Sequence, residues 1–363
     1  MKPFIFSFLT LALMFFSSCG SNSKETIQVV DVNQFPVSIK LNETDAITLP
    51  IKSFGISEIK VVDSLLIVSV LGNENFWHVY SLPQMDSIGS FFNVGNAPYE
   101  MTMPIPCYQS SFYKNGNDII AAIPLPDRQK MVKFNMTKLI SDNDYEGNAT
   151  FCDINSENMT VWTYCLDNEQ YIQAYIDPID KRIVRTIRSN SNNEIVNNNK
   201  YIENLNSKSI EKIEDIQLLL TNPAIRPDGR MVAEIPGYSN QIVIYEIFDK
   251  NGVCIEYKDL QKEAQYVDKL LNNYTSLFGG GYGYNDYFAL IRNNIDKGNV
   301  IDQSIDFFSW DGNPIGTIDL AMNTIRRFDI NERNGVLFCL DAESDCVITY
   351  NISSFLDSIN KYL

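Results

Sequence analysis

The sequence contains a single imidazole, His78, and this limits the chemistry that one chain could perform. A catalytic or structural metal site built on two or three histidines is excluded within one chain, because the further ligands are missing. His78 lies in the strand-like segment FWHVYSL, and we interpret it as a packed strand residue rather than a catalytic base. The single histidine therefore indicates neither a catalytic residue nor a metal site.

The common motifs for nucleophilic, metal and phosphate chemistry do not occur in the chain. There is no G-x-S-x-G, no P-loop and no H-E-x-x-H. The glycine-rich segment 279–284 (GGGYGY) lacks the Lys-Ser/Thr step of a P-loop. We interpret its glycines as those of an innermost strand that approaches a crowded central axis. Asp228 lies in P-D-G, which is a turn sequence rather than a metal-binding one.

We predict that the cysteines other than Cys19 are free thiols in strands. None of them forms a C-x-x-C pair, so structural zinc and thioredoxin-like redox sites are not indicated. The alternative is a disulfide between Cys339 and Cys346 across a hairpin. The full set is Cys107, Cys152, Cys165, Cys254, Cys339 and Cys346.

The N-terminus resembles a bacterial lipoprotein signal. Lys2 precedes an apolar run over residues 4–16, which is too short to span a bilayer, and Ser17-Ser18-Cys19 follows it. We predict that residues 1–18 are a removed signal peptide and that residues 19–26 are a lipidated Cys19 with a polar tether. The protein would then be anchored in the cell envelope, and we expect the outer membrane. The alternative is an ordinary cleaved signal with an incidental cysteine.

The net charge of the chain argues against two classes of binding partner. The 363 residues include 29 Lys and Arg against 45 Asp and Glu, which gives a net charge of −16. An acid excess of this size argues against binding to a nucleic-acid backbone or to an anionic lipid surface. With 45% apolar residues, the chain can still bury a sizeable core.

Short β-like runs separated by turn residues predict an all-β fold. The clearest unit is a four-stranded antiparallel meander over residues 56–62, 65–71, 76–82 and 87–92. Five further units follow, with first strands near residues 107, 150, 216, 275 and 324. The resulting mean spacing of about 54 residues is close to that of propeller blades.

The sixth unit has only three strands, and spare strand-like residues lie near the N-terminus, at 27–32 and 37–41. We therefore predict a single domain over residues 27–363: a six-bladed β-propeller of four-stranded blades, whose last blade is closed by an N-terminal strand. We expect it to be a monomer. The alternatives are seven blades, or a pair of β-sandwich domains.

Two segments resemble the TolB-like six-bladed propeller lipoproteins of Bacteroidetes. Residues 95–100 (GNAPYE), after the first unit, look like the Gly-x-Gly-Pro-Gly-Glu segment of that family, with Ala97 and Tyr99 in place of glycines. Residues 305–315 (IDFFSWDGNPI) look like its penultimate-blade segment. The resemblance implies a lipid-anchored envelope propeller and no catalytic residue.

Long connectors lead from the last strand of one unit to the first strand of the next, at residues 93–106, 189–215 and 261–274. Such links all open on one face of a propeller, so we predict that this face, beside the axis, binds a peptide, glycan or partner protein without catalysis. The alternative is a hydrolase or lyase with an axial Ca²⁺ or a Tyr/Arg site. No other cofactor is expected. The candidate binding residues are Glu100, Arg226, Tyr282, Tyr284, Arg326 and Arg327.

Overall fold

The computed structural model describes the chain from Ile27 to Leu363 with several gaps. The described residues are 27–72, 74–154, 159–166, 170–177, 179, 183–189, 195–199, 220–247 and 252–363. The predicted signal peptide, Cys19 and the tether lie outside these residues, as does most of the predicted connector 189–215.

Six sheets account for the strands of the described residues, and together they form a six-bladed β-propeller. This confirms the predicted fold and replaces the seven-bladed and sandwich alternatives. The strands are β1 (Ile27–Val32), β2 (Ser38–Lys40), β3 (Ile47–Thr48), β4 (Ile56–Val62), β5 (Leu65–Val70), β6 (Asn75–Ser81), β7 (Ser87–Asn93), β8 (Ser111–Asn115), β9 (Asp118–Leu125), β10 (Lys130–Asn135), β11 (Ala149–Asp153), β12 (Met159–Cys165), β13 (Gln170–Ile176), β14 (Ile183–Ser189), β15 (Ile195–Asn199), β16 (Thr221–Ile225), β17 (Met231–Pro236), β18 (Gln241–Glu246), β19 (Gly252–Tyr257), β20 (Phe278–Gly283), β21 (Tyr287–Asp296), β22 (Asn299–Ser309), β23 (Pro314–Asp319), β24 (Ile325–Asn331), β25 (Val336–Asp341) and β26 (Cys346–Asn351).

Each blade is an antiparallel meander whose first strand is innermost. Blades 1 to 5 begin with β4, β8, β12, β16 and β20, and each contains the next three strands in order. Blade 6 consists of β24, β25, β26 and β3. In β5 every side chain is buried, because this strand has a strand on either side and a neighbouring blade against each face.

The N-terminal strands follow the rim of the disc. β3 pairs with β26 and closes blade 6, so the predicted N-terminal closure is confirmed. The closing residues differ from those expected: β1 instead adds to β19 of blade 4, and β2 adds to β23 of blade 5, each in parallel. The sequence pattern predicts that these segments are strands. It does not indicate which blade they join, because the outer edge of each blade can pair with a further strand.

Two strand assignments within blades 2 and 3 were wrong. The strand predicted to open the third unit at residue 150 is β11, the outer strand of blade 2, paired with β10. Residues 189–215 were predicted as a connector, but β15 lies within them and pairs with β14. Two short helices lie between β10 and β11 and separate this outer strand from the rest of its blade along the chain. The sequence pattern therefore did not show that it belongs to blade 2.

Helices occupy the connections. They are α1 (Met136–Asp142), α2 (Tyr145–Asn148), α3 (Gln261–Ala264), α4 (Val267–Asn272) and α5 (Ser353–Ile359). None of the helices in the described part of the chain is both long enough and apolar enough to cross a membrane.

The six cysteines beyond residue 26 are free. Cys339 lies opposite Ile348, and Cys346 lies opposite Asp341, so the two cysteines are not cross-strand partners. The alternative disulfide is therefore not formed, and the prediction of free thiols is confirmed.

Strand direction defines the two faces of the disc. We call the face where the innermost strands end the cavity face. The opposite face, where they begin and where the links between blades arrive, is the connector face. The described parts of the predicted connectors 93–106 and 261–274 lie on the connector face, since each precedes an innermost strand.

Candidate functional site

An axial cavity of about 570 Å³ opens on the cavity face. The innermost strands, mostly near their ends, and the turns after them form most of its wall, so all six blades contribute; Tyr108 and Ser110 of the link before β8 also line it. Its mouth includes exposed turn residues such as Asp63, Lys114 and Glu332. A concave site of this size is typical of ligand-binding sites. Because every blade contributes to it, side chains from distant parts of the sequence lie close together there.

An ion pair between blades 1 and 6 lies at the floor of the cavity. Lys60 Nζ is 3.0 Å from Asp329 Oδ2, and the side chains are 20% and 1% exposed. Oδ2 also accepts a hydrogen bond from Val61 N at 2.8 Å, while Oδ1 accepts from Tyr284 Oη and from Ile330 N, both at 2.8 Å. Asp329 therefore has protein donors on both oxygens.

The Lys60 ammonium also lies over an aromatic face. Its Nζ is 4.5 Å from the centre of the Tyr282 ring, where the ring quadrupole attracts a cation. The ion pair and the ring together fix the end of a side chain that is otherwise among the most mobile.

A second ion pair lies behind the floor, two residues earlier on the same two strands. Arg327 Nε donates to Glu58 Oε2 at 2.9 Å, and the guanidinium lies 5.0 Å from the centre of the Tyr108 ring. Burial lowers the pKa of Arg327 and the Glu58 carboxylate raises it; the net shift is upward, so the arginine stays charged. These residues close the axis below the cavity.

Aromatic side chains form much of the remaining wall. Tyr108, Phe112 and Tyr164 are partly exposed and come from the link before β8, from blade 2 and from blade 3, whereas Tyr282 and Tyr284 are buried in blade 5. Burial raises the pKa of all four tyrosines. Protonated tyrosines suit stacking and hydrogen-bond donation to a ligand.

The glycine-rich strand β20 passes very close to its neighbours, as predicted. A Cβ on Gly283 would lie 2.2 Å from the carbonyl oxygen of Ile225 in blade 4, which is backbone. A Cβ on Gly281 would lie 2.2 Å from Cδ1 of Ile235. Glycine is thus required for the close approach of two innermost strands beside the cavity.

The structure brings only part of the predicted site together. Tyr282 and Tyr284 line the cavity, and Arg327 lies behind its floor. Arg226 follows β16 on the cavity face, where its Nη2 is 2.7 Å from Asp228 Oδ2 in the P-D-G turn. Arg326 is exposed near the start of β24, toward the connector face.

Glu100 belongs to the connector face, away from the cavity. Its Oε2 accepts a hydrogen bond from Ala97 N at 3.0 Å, and its carbonyl accepts from Arg128 Nη2 at 2.7 Å. A Cβ on Gly95 would lie 1.9 Å from the same Oε2. Glu100 therefore organises the GNAPYE loop, and Gly95 makes room for its carboxylate.

Lys60, Asp329, Tyr108 and Tyr164 were missing from the predicted set. A signal for the first two exists in the sequence: Glu58-x-Lys60 and Arg327-x-Asp329 place complementary charges at alternate positions of two inner strands. Across the described ranges, no group of three or more His, Cys, Asp or Glu side chains is arranged to hold a metal ion.

Comparison with known proteins supports the fold and goes no further. No family model matches the chain, and no curated protein matches it in sequence. A member of the DUF4221 family from Bacteroides vulgatus has a TM-score of 0.52 at 7% identity, over 84% of this chain and 95% of that one. This likeness agrees with the propeller fold.

Two other solved structures are less similar. An exported protein from Bacteroides fragilis gives a TM-score of 0.49 at 10% identity, over 86% of this chain and 98% of that one. Hsv2 from Kluyveromyces lactis gives 0.42 at 10% identity, over 80% and 72%. The resemblance to TolB-like lipoproteins therefore stays a prediction.

Proposed function

We propose that this protein is a lipid-anchored propeller of the cell envelope that binds the end of a peptide or glycan in its axial cavity, without catalysis. The observation that carries the proposal is the convergence of all six innermost strands on one cavity with a fixed Lys60–Asp329 pair at its floor. The ligand could be free or presented by a partner protein.

The composition of the cavity supports binding. Ligand sites of about 300–1,000 Å³ are mostly lined by apolar and aromatic groups, with a few placed polar ones, and this cavity follows that pattern. Partly exposed rings such as Tyr164 and Phe112 offer flat faces to a sugar ring or an apolar side chain. The raised tyrosine pKa values and the lone histidine favour a binding role over a hydrolase or lyase.

The placement of the site revises the binding face expected from the connectors. The cavity mouth and the described connectors lie on opposite faces, so we assign binding to the cavity face. The location in the envelope rests on the lipoprotein-like sequence around Cys19.

A binding screen with a matched pair of tyrosine variants tests the proposal. Peptide and glycan arrays would supply ligands, and calorimetry would give their affinities. We expect Tyr164→Ala, which removes a ring from the cavity wall, to weaken binding roughly tenfold. Tyr274→Ala is the control, because this side chain is 91% exposed on the connector face. Unchanged binding in Tyr164→Ala, with the thermal stability of both variants intact, would contradict the proposal.

A further inference from the structure

We infer that Lys60 is the recognition group of the axial cavity and that it binds a terminal carboxylate of the ligand; this rests on the proposed function above. The argument begins with the counter-ion. Asp329 accepts hydrogen bonds from Val61 N, Ile330 N and Tyr284 Oη, and it is 1% exposed. These three donors take up most of the lone pairs of the carboxylate, so Asp329 needs only one N–H of the ammonium, which balances its buried charge.

Lys60 therefore has donor capacity to spare. An ammonium carries three N–H donors. Within the described residues, Lys60 Nζ has one ion-pair partner, Asp329, and one ring partner, Tyr282. Its side chain lines the cavity, where the carboxylate of Glu332 at the mouth also attracts it. The remaining capacity points to an acceptor inside the cavity. Because the side chain is already held in place, little further rotamer entropy is lost when a ligand binds.

The charges around the cavity favour a singly charged acceptor. One ammonium beside one carboxylate cannot balance a phosphate dianion, which also needs donors for three oxygens. The other lining cations lie at the mouth: Lys114 Nζ is 3.2 Å from Asp63 Oδ1, and Arg333 is exposed. A carboxylate fits one hydrogen-bonding cation at the floor.

The aromatic wall indicates which chemical groups the rest of the ligand contains. Phe112 and Tyr164 belong to blades 2 and 3, and Tyr108 lies in the link before blade 2, whereas the ion pair belongs to blades 1 and 6. A ligand that inserts its carboxylate toward Lys60 can thus place a flat or apolar body against these rings. Two sources share this chemistry: the uronate end of an acidic oligosaccharide and the free C-terminus of a peptide.

Acid and uncharged forms of the same probe test the inference. The probes are a disaccharide with one terminal glucuronate and its methyl ester, and a short peptide ending in phenylalanine with its C-terminal amide. Calorimetry on the wild-type protein should give at least tenfold tighter binding for one acid than for its uncharged form. The acid that responds identifies the source of the carboxylate.

Two lysine variants complete the experiment. Lys60→Met keeps the apolar stem and should reduce affinity for the acid to that for the uncharged form. Lys130→Met is the matched control, since Lys130 forms an exposed pair with Asp153 on the outer part of blade 2. If Lys60→Met fails to fold, the acid and ester comparison in the wild type decides the question.

The two proposals fail in different ways. Equal affinities for acid and uncharged forms, or no binding of either acid, would overturn the role of Lys60. If a probe binds equally in both forms but is lost in Tyr164→Ala, the cavity stands and only the carboxylate is wrong. If the affinity is unchanged in Tyr164→Ala, the cavity is not the binding site and both proposals are contradicted.

Discussion

Single residues beside the axis show how closely the innermost strands approach one another. In the segment 279–284, Gly283 faces the backbone of Ile225, whereas Gly280 faces the flexible side chain of Arg327 at 3.5 Å from its Cδ. Backbone cannot retreat from a new methyl group as a long side chain can. The two glycines lie on one strand but should differ in their tolerance of substitution.

We therefore expect Gly283→Ala to lower the free energy of unfolding by about 2–3 kcal/mol, the usual cost of overpacking. Gly280→Ala should change it by no more than about 0.5–1 kcal/mol, because the added Cβ meets only ordinary contact distances. Urea unfolding of the two variants measures the difference. Equal losses would show that the strands can move apart.

At the scale of elements, buried polar groups fix the angle between neighbouring blades. Sheet-to-sheet packing is non-directional, but a hydrogen-bonded carboxylate tolerates little displacement. Glu234 of blade 4 binds Arg185 of blade 3, Asp306 of blade 5 accepts from Tyr257 of blade 4 at 2.9 Å, and Asp345 of blade 6 accepts from Gly55 N, just before blade 1, at 2.7 Å. Several junctions thus contain their own polar contact.

Breaking one such junction should be costly. Glu234 and Arg185 are 0% and 1% exposed, and Glu234 Oε1 also accepts from Tyr245 Oη at 2.7 Å. Glu234→Leu leaves a buried arginine without its charge partner, and we expect a loss of about 3–5 kcal/mol in unfolding free energy. Asp153→Asn, which breaks the exposed pair with Lys130, should cost less than about 1 kcal/mol.

Denaturant unfolding of both variants measures these costs. If Glu234→Leu proved as mild as Asp153→Asn, the contact would not hold the blades together. The double variant Glu234→Leu with Arg185→Leu should recover part of the loss, since no charge then remains buried.

Local pattern predicted the blades well, and long-range pairing explains what it missed. The observed β4, β5, β6 and β7 differ from their predicted bounds by at most one residue, because short turns separate clear β-like runs. The outer strands could not be assigned in the same way, since β1, β2 and β3 pair with strands far along the chain.

The candidate site was predicted only where a local signal existed. Tyr282 and Tyr284 were chosen because they follow a predicted first strand beside the axis, and both line the cavity. Lys60 and Asp329 come from strands at opposite ends of the chain, and only ring closure places them 3.0 Å apart. Glu100 was misplaced because connectors and cavity occupy opposite faces, and this depends on the direction of the innermost strands.

At the scale of the whole molecule, the N-terminal segment is a strap along the rim of three blades. β1, β2 and β3 cover outer edges of blades 4, 5 and 6, and β3 joins the first part of the chain to the last strand. Covered edges protect a sheet from pairing with other chains. The proposed anchor precedes this strap directly.

The anchor itself can be tested by substitution. We expect the protein, expressed in a bacterial host, to enter the detergent phase of a Triton X-114 partition because acyl chains on Cys19 make it amphiphilic. Cys19→Ser should move it to the aqueous phase, whereas Cys346→Ser, a thiol beyond the tether, should not. Aqueous partitioning of the wild type would contradict lipidation.

The direction of β1 has a consequence for how the disc would sit against lipid. Ile27 pairs with Gly252, the first residue of β19, and β19 runs from the cavity face toward the connector face. A tether that ends at Ile27 thus meets the disc at the edge of the cavity face. The seven residues between Cys19 and Ile27 reach at most about 25 Å when fully extended. With the proposed anchor, this short segment would attach the rim of blade 4 to the bilayer. The edge of the cavity face at β1 would then be held within about 25 Å of the bilayer.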